Sequence, residues 1–168
     1  MQIKDRIKRL DRVPAKDLIP NPRNWRTHPD NQADALRGLL AEVGFANAVL
    51  ARETPEGLQL IDGHLRAETT GDGMIPVLVL DVSQNEADKI LASHDPLAAM
   101  AGADTGKLED LLGHLETNSK AVQELFDSLA EQHGIESPDF DPTSAESQSR
   151  LDEKEPITCP HCGKDFTP

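Results

Sequence analysis

Residues 58–66 read L-Q-L-I-D-G-H-L-R, and this short run constrains the fold more than any other part of the chain. An apolar strand that includes Leu60 and Ile61 ends abruptly at an Asp-Gly pair, and charged side chains follow where a helix would begin. Gly63 allows a tight turn and a close approach to a ligand, and the free N–H groups of a helix start favour an anion. The run therefore predicts a strand, a turn and a helix, with a polar site at the turn.

Three side chains of this turn are candidates for chemistry. His64 and Arg66 could hold a phosphate group, and Asp62 could orient a hydroxyl or a metal ion. The alternative interpretation is that Asp62 caps the helix and Arg66 is an ordinary surface charge. The flanking segments favour the first interpretation.

Strand and helix signals alternate through the first half of the chain, which predicts an α/β fold with a small mixed sheet. The predicted strand at residues 76–82 is apolar and rich in β-branched residues, so we expect it in the centre of the sheet. The predicted elements are a short strand near residues 12–14, a helical turn, a helix from Asp30 or Asn31 to Gly44, strands at residues 48–53 and 58–62, a short helix ending near Gly71, and a strand at residues 76–82.

The chain becomes helical after the last of these strands. Ser83 and Glu86 have the spacing of a capping box, and the Asp95-Pro96 pair predicts a break in the helix that follows. Apolar stripes predict two further helices, whose apolar faces belong either to the core or to a dimer surface. The stripes are Leu108, Leu111, Leu112 and Leu115, and then Val122, Leu125, Phe126 and Leu129.

Charge is distributed unevenly. The net charge is −13, yet residues 1–26 contain eight Lys or Arg against three Asp. Residues 1–11 are therefore predicted to be a basic arm that meets nucleic-acid phosphate or an acidic partner. The alternative is a solvated amphipathic helix in which Ile3, Ile7 and Leu10 pack on one side.

Composition excludes some classes of protein. One Trp, four Phe and no Tyr argue against an aromatic platform for single-stranded nucleic acid. No apolar run approaches membrane-spanning length, and residues 1–9 lack an apolar signal region, so we expect a cytoplasmic protein with no membrane contact.

The end of the chain differs from the rest. Residues 135–156 are acidic and rich in Ser and Pro, which predicts a disordered linker. The linker leads to a Cys-x-x-Cys knuckle in residues 157–168, where Cys159 and Cys162 could bind Zn²⁺. The other ligands would come from a second copy, from His161 and another histidine, or from a partner. The alternative is a tail with two reduced thiols.

The order of these features resembles the ParB N-terminal domain, of the ParB/sulfiredoxin-like fold, in the phage-type version found beside or fused to DNA modification methylases. The matching residues are Asp17-Leu18-Ile19-Pro20-Asn21-Pro22-Arg23, the helix end at Gly44, and Gly63-His64-Leu65-Arg66. The resemblance covers residues 12–82 with specific motifs and residues 83–133 more loosely. It implies an α/β domain at residues 12–97 followed by a helical extension at residues 98–134.

The resemblance also implies a pocket for phosphate or a nucleoside triphosphate with Mg²⁺. Partition proteins of the family place a glutamate and two arginines after the glycine of this motif, whereas this chain keeps only Arg66. A phosphate or nucleotide pocket is therefore implied more strongly than CTP itself. Arg23 and Arg26, from the loop before the first long helix, are further phosphate-binding candidates, and Glu42 is a candidate general base or metal carboxylate facing the turn.

Three functions follow as hypotheses. The first is a ParB-like protein that binds phosphate, nucleotide or DNA in phage or mobile-element DNA metabolism, possibly as a homodimer and in the service of a DNA methyltransferase. The second is a phosphotransferase or nuclease that uses Asp62, His64 and Glu42 as catalytic groups with a divalent metal ion. The third is a non-enzymatic adaptor.

Overall fold

The structure is a computed structural model that describes residues 2–135, 157–158, 161 and 164–166. The chain divides into two compact units, Met1–Ile135 and Glu136–Pro168. In the second unit, the short strand Ile157–Thr158 pairs antiparallel with Asp165–Phe166.

The first unit is built on a four-stranded mixed sheet. Its strands are β1 (Ile7–Pro14), β2 (Val49–Thr54), β3 (Gly57–Asp62) and β4 (Met74–Leu80), in the order β1-β4-β2-β3. β2 and β4 are parallel, and the other two pairs are antiparallel. The sequence predicted a mixed sheet with a hairpin and a central apolar strand, and the hairpin of β2 and β3 and the interior position of β4 confirm both features.

The start of the chain departs from the prediction. β1 begins at Ile7, so the helical interpretation of the basic arm is wrong for this stretch. The register against β4 shifts between Ile7 and Arg9, which marks a β-bulge. Lys8 and Arg9 both form ion pairs with Glu53 of β2, so these two basic side chains are neutralised within the domain.

Five α-helices surround the sheet in the described part of the chain. They are α1 (Asp30–Glu42), α2 (His64–Thr70), α3 (Gln84–Ala99), α4 (Thr105–Gly113) and α5 (Lys120–Gln132), with a 3-10 helix at Ala15–Asp17. The capping box of Ser83 and Glu86 and both helices predicted from the leucine stripes are present. None of the described helices is long and apolar enough to cross a membrane.

The predicted break at the Asp95-Pro96 pair is wrong, because α3 continues through Pro96 to Ala99. A proline inside a helix removes one N–H donor. The helix nevertheless resumes, since the Met100 N–H donates to the Pro96 carbonyl oxygen at 3.1 Å. His94 and Asp95 therefore lie within one continuous helix rather than at its end.

Apolar side chains fill both faces of the sheet. One face packs against α2 and the 3-10 helix through residues such as Val49, Val77 and Ala67. The other face packs against α3 through Ile61 and Leu80. Burial of each such aliphatic side chain stabilises the fold by about 1.5–3 kcal/mol. The end of β3 is thus fixed between two packed layers.

Candidate functional site

The turn after β3 is set by one glycine. Gly63 has a φ of +92°, a conformation that other residues adopt only with strain. A methyl group at this position would lie 2.5 Å from Cγ1 of Val49, which is fully buried. A glycine is therefore required at this turn, as the sequence predicted. The close approach that it allows is to Val49 of the neighbouring strand β2, whereas the sequence had suggested a ligand.

His64 is the first residue of α2, and the residue is 7% exposed. Its Nε2 accepts a hydrogen bond of 3.2 Å from the backbone N–H of Asn21. Burial lowers the pKa of the imidazole, although the charges of Asp62 and Glu68 act in the opposite direction. Because Nε2 accepts, it carries no proton in this arrangement, and Nδ1 is the nitrogen that bears the N–H.

Arg66 and Asp62 form a half-buried ion pair. The Arg66 Nη2 lies 3.4 Å from Oδ2 of Asp62, and the Arg66 Nη1 donates to the Ala48 carbonyl oxygen at 3.2 Å. The pair connects the end of β3, the start of α2 and the residue before β2. Both predicted residues of the turn are thus held in place before any ligand binds.

The two candidate arginines of the loop before α1 lie in different places. Arg26 forms an ion pair of 2.6 Å with Asp95 of α3, and its guanidinium stacks 4.8 Å from the ring centroid of Trp25. Arg23 forms an ion pair with Asp88, which lies nearer the start of α3 than Asp95 does. Of these two arginines, only Arg26 lines the cleft at the turn.

That cleft has a volume of about 620 Å³. One wall is the turn itself, from Ile61 to Arg66, and the loop and α3 contribute Arg26, His94 and Asp95. The facing wall comes from α1 and α5. Its residues are Ala35, Leu36, Leu39, Ala121, Glu124, Leu125, Ser128 and Gln132. The cleft therefore has an ionic side and a side that is mainly apolar or neutral.

A possible cation site lies on the ionic side. Ligand atoms of Asp62, His94 and Asp95 all lie within 4.8 Å of one another. Two carboxylates suit a hard cation such as Mg²⁺, which usually takes one or two carboxylates and leaves its other positions to phosphate and water. The residues present thus fit the magnesium that the resemblance implies. Asp62 was predicted from the sequence as a site residue, whereas His94 and Asp95 were not, although both follow Leu91 at helical spacing on the same face of α3.

Glu42, predicted to face the turn, lies elsewhere. Its carboxylate accepts hydrogen bonds from the Thr117 hydroxyl at 2.8 and 2.9 Å and from the N–H groups of Asn118 and Ser119 at 2.9 and 3.1 Å. These bonds, above all those from Thr117 and Asn118, lower the pKa of Glu42. Glu42 thus connects the end of α1 to the start of α5 and does not line the cleft.

Cys159 and Cys162, the predicted zinc ligands, lie outside the described residues. The prediction of a Zn²⁺ site therefore stays a prediction.

No protein-family description and no curated protein sequence matches the chain. Among solved structures, the chain is similar to the C-terminally truncated chromosome-partitioning protein ParB from Caulobacter crescentus complexed with CTP-γ-S, with 20% identity and a TM-score of 0.52. That similarity covers 76% of this chain and 72% of the ParB chain. The chain is also similar to sulfiredoxin from Arabidopsis thaliana, with 14% identity over 49% of this chain and 97% of that one, and a TM-score of 0.42.

The mixed sheet and its helices thus form an α/β domain with a cleft at the end of β3. The likeness to the ParB chain shows that this domain shares the fold of that chain.

Proposed function

We propose that the cleft binds a nucleoside triphosphate together with Mg²⁺, and that the protein uses this nucleotide in the DNA metabolism of a phage or mobile element. The observation that carries the proposal is the pair of arginine–aspartate ion pairs, Arg26 with Asp95 and Arg66 with Asp62, on the ionic side of the cleft. The ParB structure with CTP-γ-S supports a nucleotide as the ligand.

The charges of the cleft favour a nucleotide that carries its own cation. Each arginine is already balanced by an aspartate, so a bare triphosphate would meet carboxylates as well as guanidinium groups. A triphosphate with Mg²⁺ resolves this conflict, because Asp62 and Asp95 would hold the cation while Arg26 and Arg66 donate to phosphate oxygens. Leu36, Leu39 and Leu125 on the opposite side offer apolar surface to the nucleoside.

Titration of the purified protein with each of the four common nucleoside triphosphates, with and without Mg²⁺, tests this proposal. We expect binding that depends on Mg²⁺. Arg66→Ala and Arg26→Ala should each weaken binding by roughly ten- to a hundredfold, because each loses a charge-assisted hydrogen bond worth about 1.5–3 kcal/mol.

Arg23→Ala is the matched control. Arg23 comes from the same loop and is also paired with an aspartate of α3, but it lies outside the cleft. It should therefore retain the affinity of the parent protein. Equal losses in all three variants, or no nucleotide binding by the parent, would refute the assignment of the cleft.

A second candidate function is metal-dependent phosphoryl transfer or nuclease activity. The observation that favours it is the grouping of Asp62, His94 and Asp95, which brings a titratable imidazole beside two carboxylates. Two of the three catalytic groups suggested by the sequence differ from this set: Glu42 does not line the cleft, and the Nε2 of His64 is already bonded to the Asn21 N–H. Magnesium-dependent release of phosphate from a nucleotide, or nicking of plasmid DNA, that is lost in His94→Ala would support catalysis. Binding without turnover would support recognition alone.

The partner is part of the same proposal. A DNA methyltransferase that co-purifies with the tagged protein only when nucleotide is present would support an accessory role in DNA modification. If Arg66→Ala binds the methyltransferase as tightly as the parent protein does, the adaptor hypothesis is supported instead, because an adaptor needs no nucleotide.

A further inference from the structure

A continuous chain of hydrogen bonds connects His64 to Arg26. The Nε2 of His64 accepts from the Asn21 N–H at 3.2 Å, and the Asn21 carbonyl oxygen accepts from the Asn24 N–H at 2.9 Å. The side-chain oxygen of Asn24 then accepts from the Arg26 N–H at 3.3 Å. Each link is local except the first, which joins the loop to the turn after β3 across 43 positions of sequence.

The first link is also the most protected. Asn21 is 4% exposed and His64 is 7% exposed, so water does not readily replace their hydrogen bond. Before Asn21, the loop is fixed by Ile19, whose backbone pairs with Leu58 and Leu60 of β3. After Asn21, it is fixed by ion pairs of exposed or half-buried side chains, which stabilise weakly. Asn21 is therefore the last point at which the loop is anchored to the core before it reaches the cleft.

We propose that His64 is a positioning residue: its unprotonated Nε2 anchors Asn21 and thereby places Arg26 at the cleft, and the imidazole is not itself needed as a phosphate ligand or catalyst. The inference rests on the proposed nucleotide site. It changes the role of His64 from the one suggested by its neighbourhood in the sequence, because Nε2 already accepts from the backbone and is not available to a phosphate.

The two nitrogens of the ring can be tested separately. In His64→Gln the side-chain oxygen reaches the position of Nε2 and can accept from Asn21, but nothing replaces Nδ1. In His64→Asn the shorter side chain replaces Nδ1 and cannot reach Asn21. If Nε2 is the functional nitrogen, the glutamine variant should resemble the parent and the asparagine variant should not.

Amide hydrogen exchange of the nucleotide-free protein measures the anchor directly. We expect exchange at Asn21, Asn24 and Arg26 to be about three- to tenfold faster in His64→Asn and nearly unchanged in His64→Gln, in line with the loss of one hydrogen bond. Exchange in β4 serves as the internal control for global unfolding. Equal protection of the loop in the two variants would overturn the proposal.

Titration with the four nucleoside triphosphates and Mg²⁺ measures the consequence. His64→Asn should bind about three- to tenfold more weakly than the parent, and His64→Gln should bind within about twofold of it. The opposite order, with affinity retained by asparagine and lost by glutamine, would show that Nδ1 contacts the ligand and would refute the positioning role. If the parent binds no nucleotide, the proposed function fails, whereas hydrogen exchange still decides whether His64 anchors the loop.

Discussion

The two walls of the cleft are held in place by different means. The wall at the turn after β3 is part of the core, where Ile61 is fully buried and His64 is 7% exposed. The facing wall comes from α1 and α5, and within α5 Val122 is buried while Leu125 is 44% exposed. α5 depends on close contact with α1 and on the hydrogen bonds of Glu42. One wall therefore resists displacement unless the fold is lost, whereas the other can move while the sheet stays intact.

The largest expected effect is on the wall that belongs to the core. Gly63→Ala combines a positive φ with a contact of 2.5 Å to Val49, and should lower the free energy of unfolding by about 2–5 kcal/mol. Gly44→Ala is the matched control, because Gly44 also has a positive φ but no atom within 4 Å of the added methyl group. It should cost only about 1–2 kcal/mol. Denaturant unfolding measures both, and equal losses would mean that Val49 moves aside freely.

The next effect is on the wall formed by α5. A methyl group added at Gly38 of α1 would lie 2.6 Å from Cγ2 of Val122, so Gly38→Ala should displace α5 at a cost of about 1–3 kcal/mol. Part of that cost is offset by the better helix propensity of alanine, worth about 1 kcal/mol. Hydrogen exchange should accelerate in α5 and remain slow in β4.

Gly113→Ala in α4 is the control for the helix propensity term, since no atom lies within 4 Å of its added methyl group. It should be neutral or slightly stabilising. If exchange in Gly38→Ala accelerates in β4 as much as in α5, the two walls unfold together and α5 does not move independently of the sheet.

The smallest effect concerns pH. The pKa of Glu42 is lowered in the folded protein, so its contribution to stability is present above the ordinary glutamate pKa of about 4.3 and is lost as the pH falls through the lower folded value. Glu42→Gln should therefore be less stable than the parent at pH 7, and the two should converge at an acidic pH below the folded pKa of Glu42. The difference should appear in the exchange of α5, because Thr117, Asn118 and Ser119 are the donors. A difference of the same size at both pH values would contradict the assignment.

Much of the wall at the turn could be predicted from sequence because its signals are local. The Asp-Gly turn, the hairpin and the capping box of α3 each depend on residues within a few positions of one another. Glu42 was misplaced because its partners are 75 to 77 positions away and leave no local pattern. His94 and Asp95 were missed for a related reason, since Asp62 lies on β3 and no local pattern in the sequence of α3 connects the two residues to it.

β1 shows how a local pattern can mislead. Ile7 and Leu10 are three positions apart, a spacing typical of one helix face. In the structure the bulge at Lys8 shifts the strand by one residue, so Ile7 pairs with Leu80 and Leu10 pairs with Leu78. Both side chains then lie on the same face of the sheet. Alternation interrupted by a bulge imitates helical periodicity.

The same bulge has a consequence for behaviour at high protein concentration. β1 and β3 are the outer strands of the sheet, and their outer edges are where another chain could add a strand. At the edge formed by β3, Ile19 already pairs with the strand. At the other edge, β1 is interrupted by the bulge and ends in Pro14, which has no N–H to donate. Both edges are therefore poor templates for intermolecular β-sheet. Removal of Lys8 to make β1 regular should leave the domain folded and make it prone to aggregate.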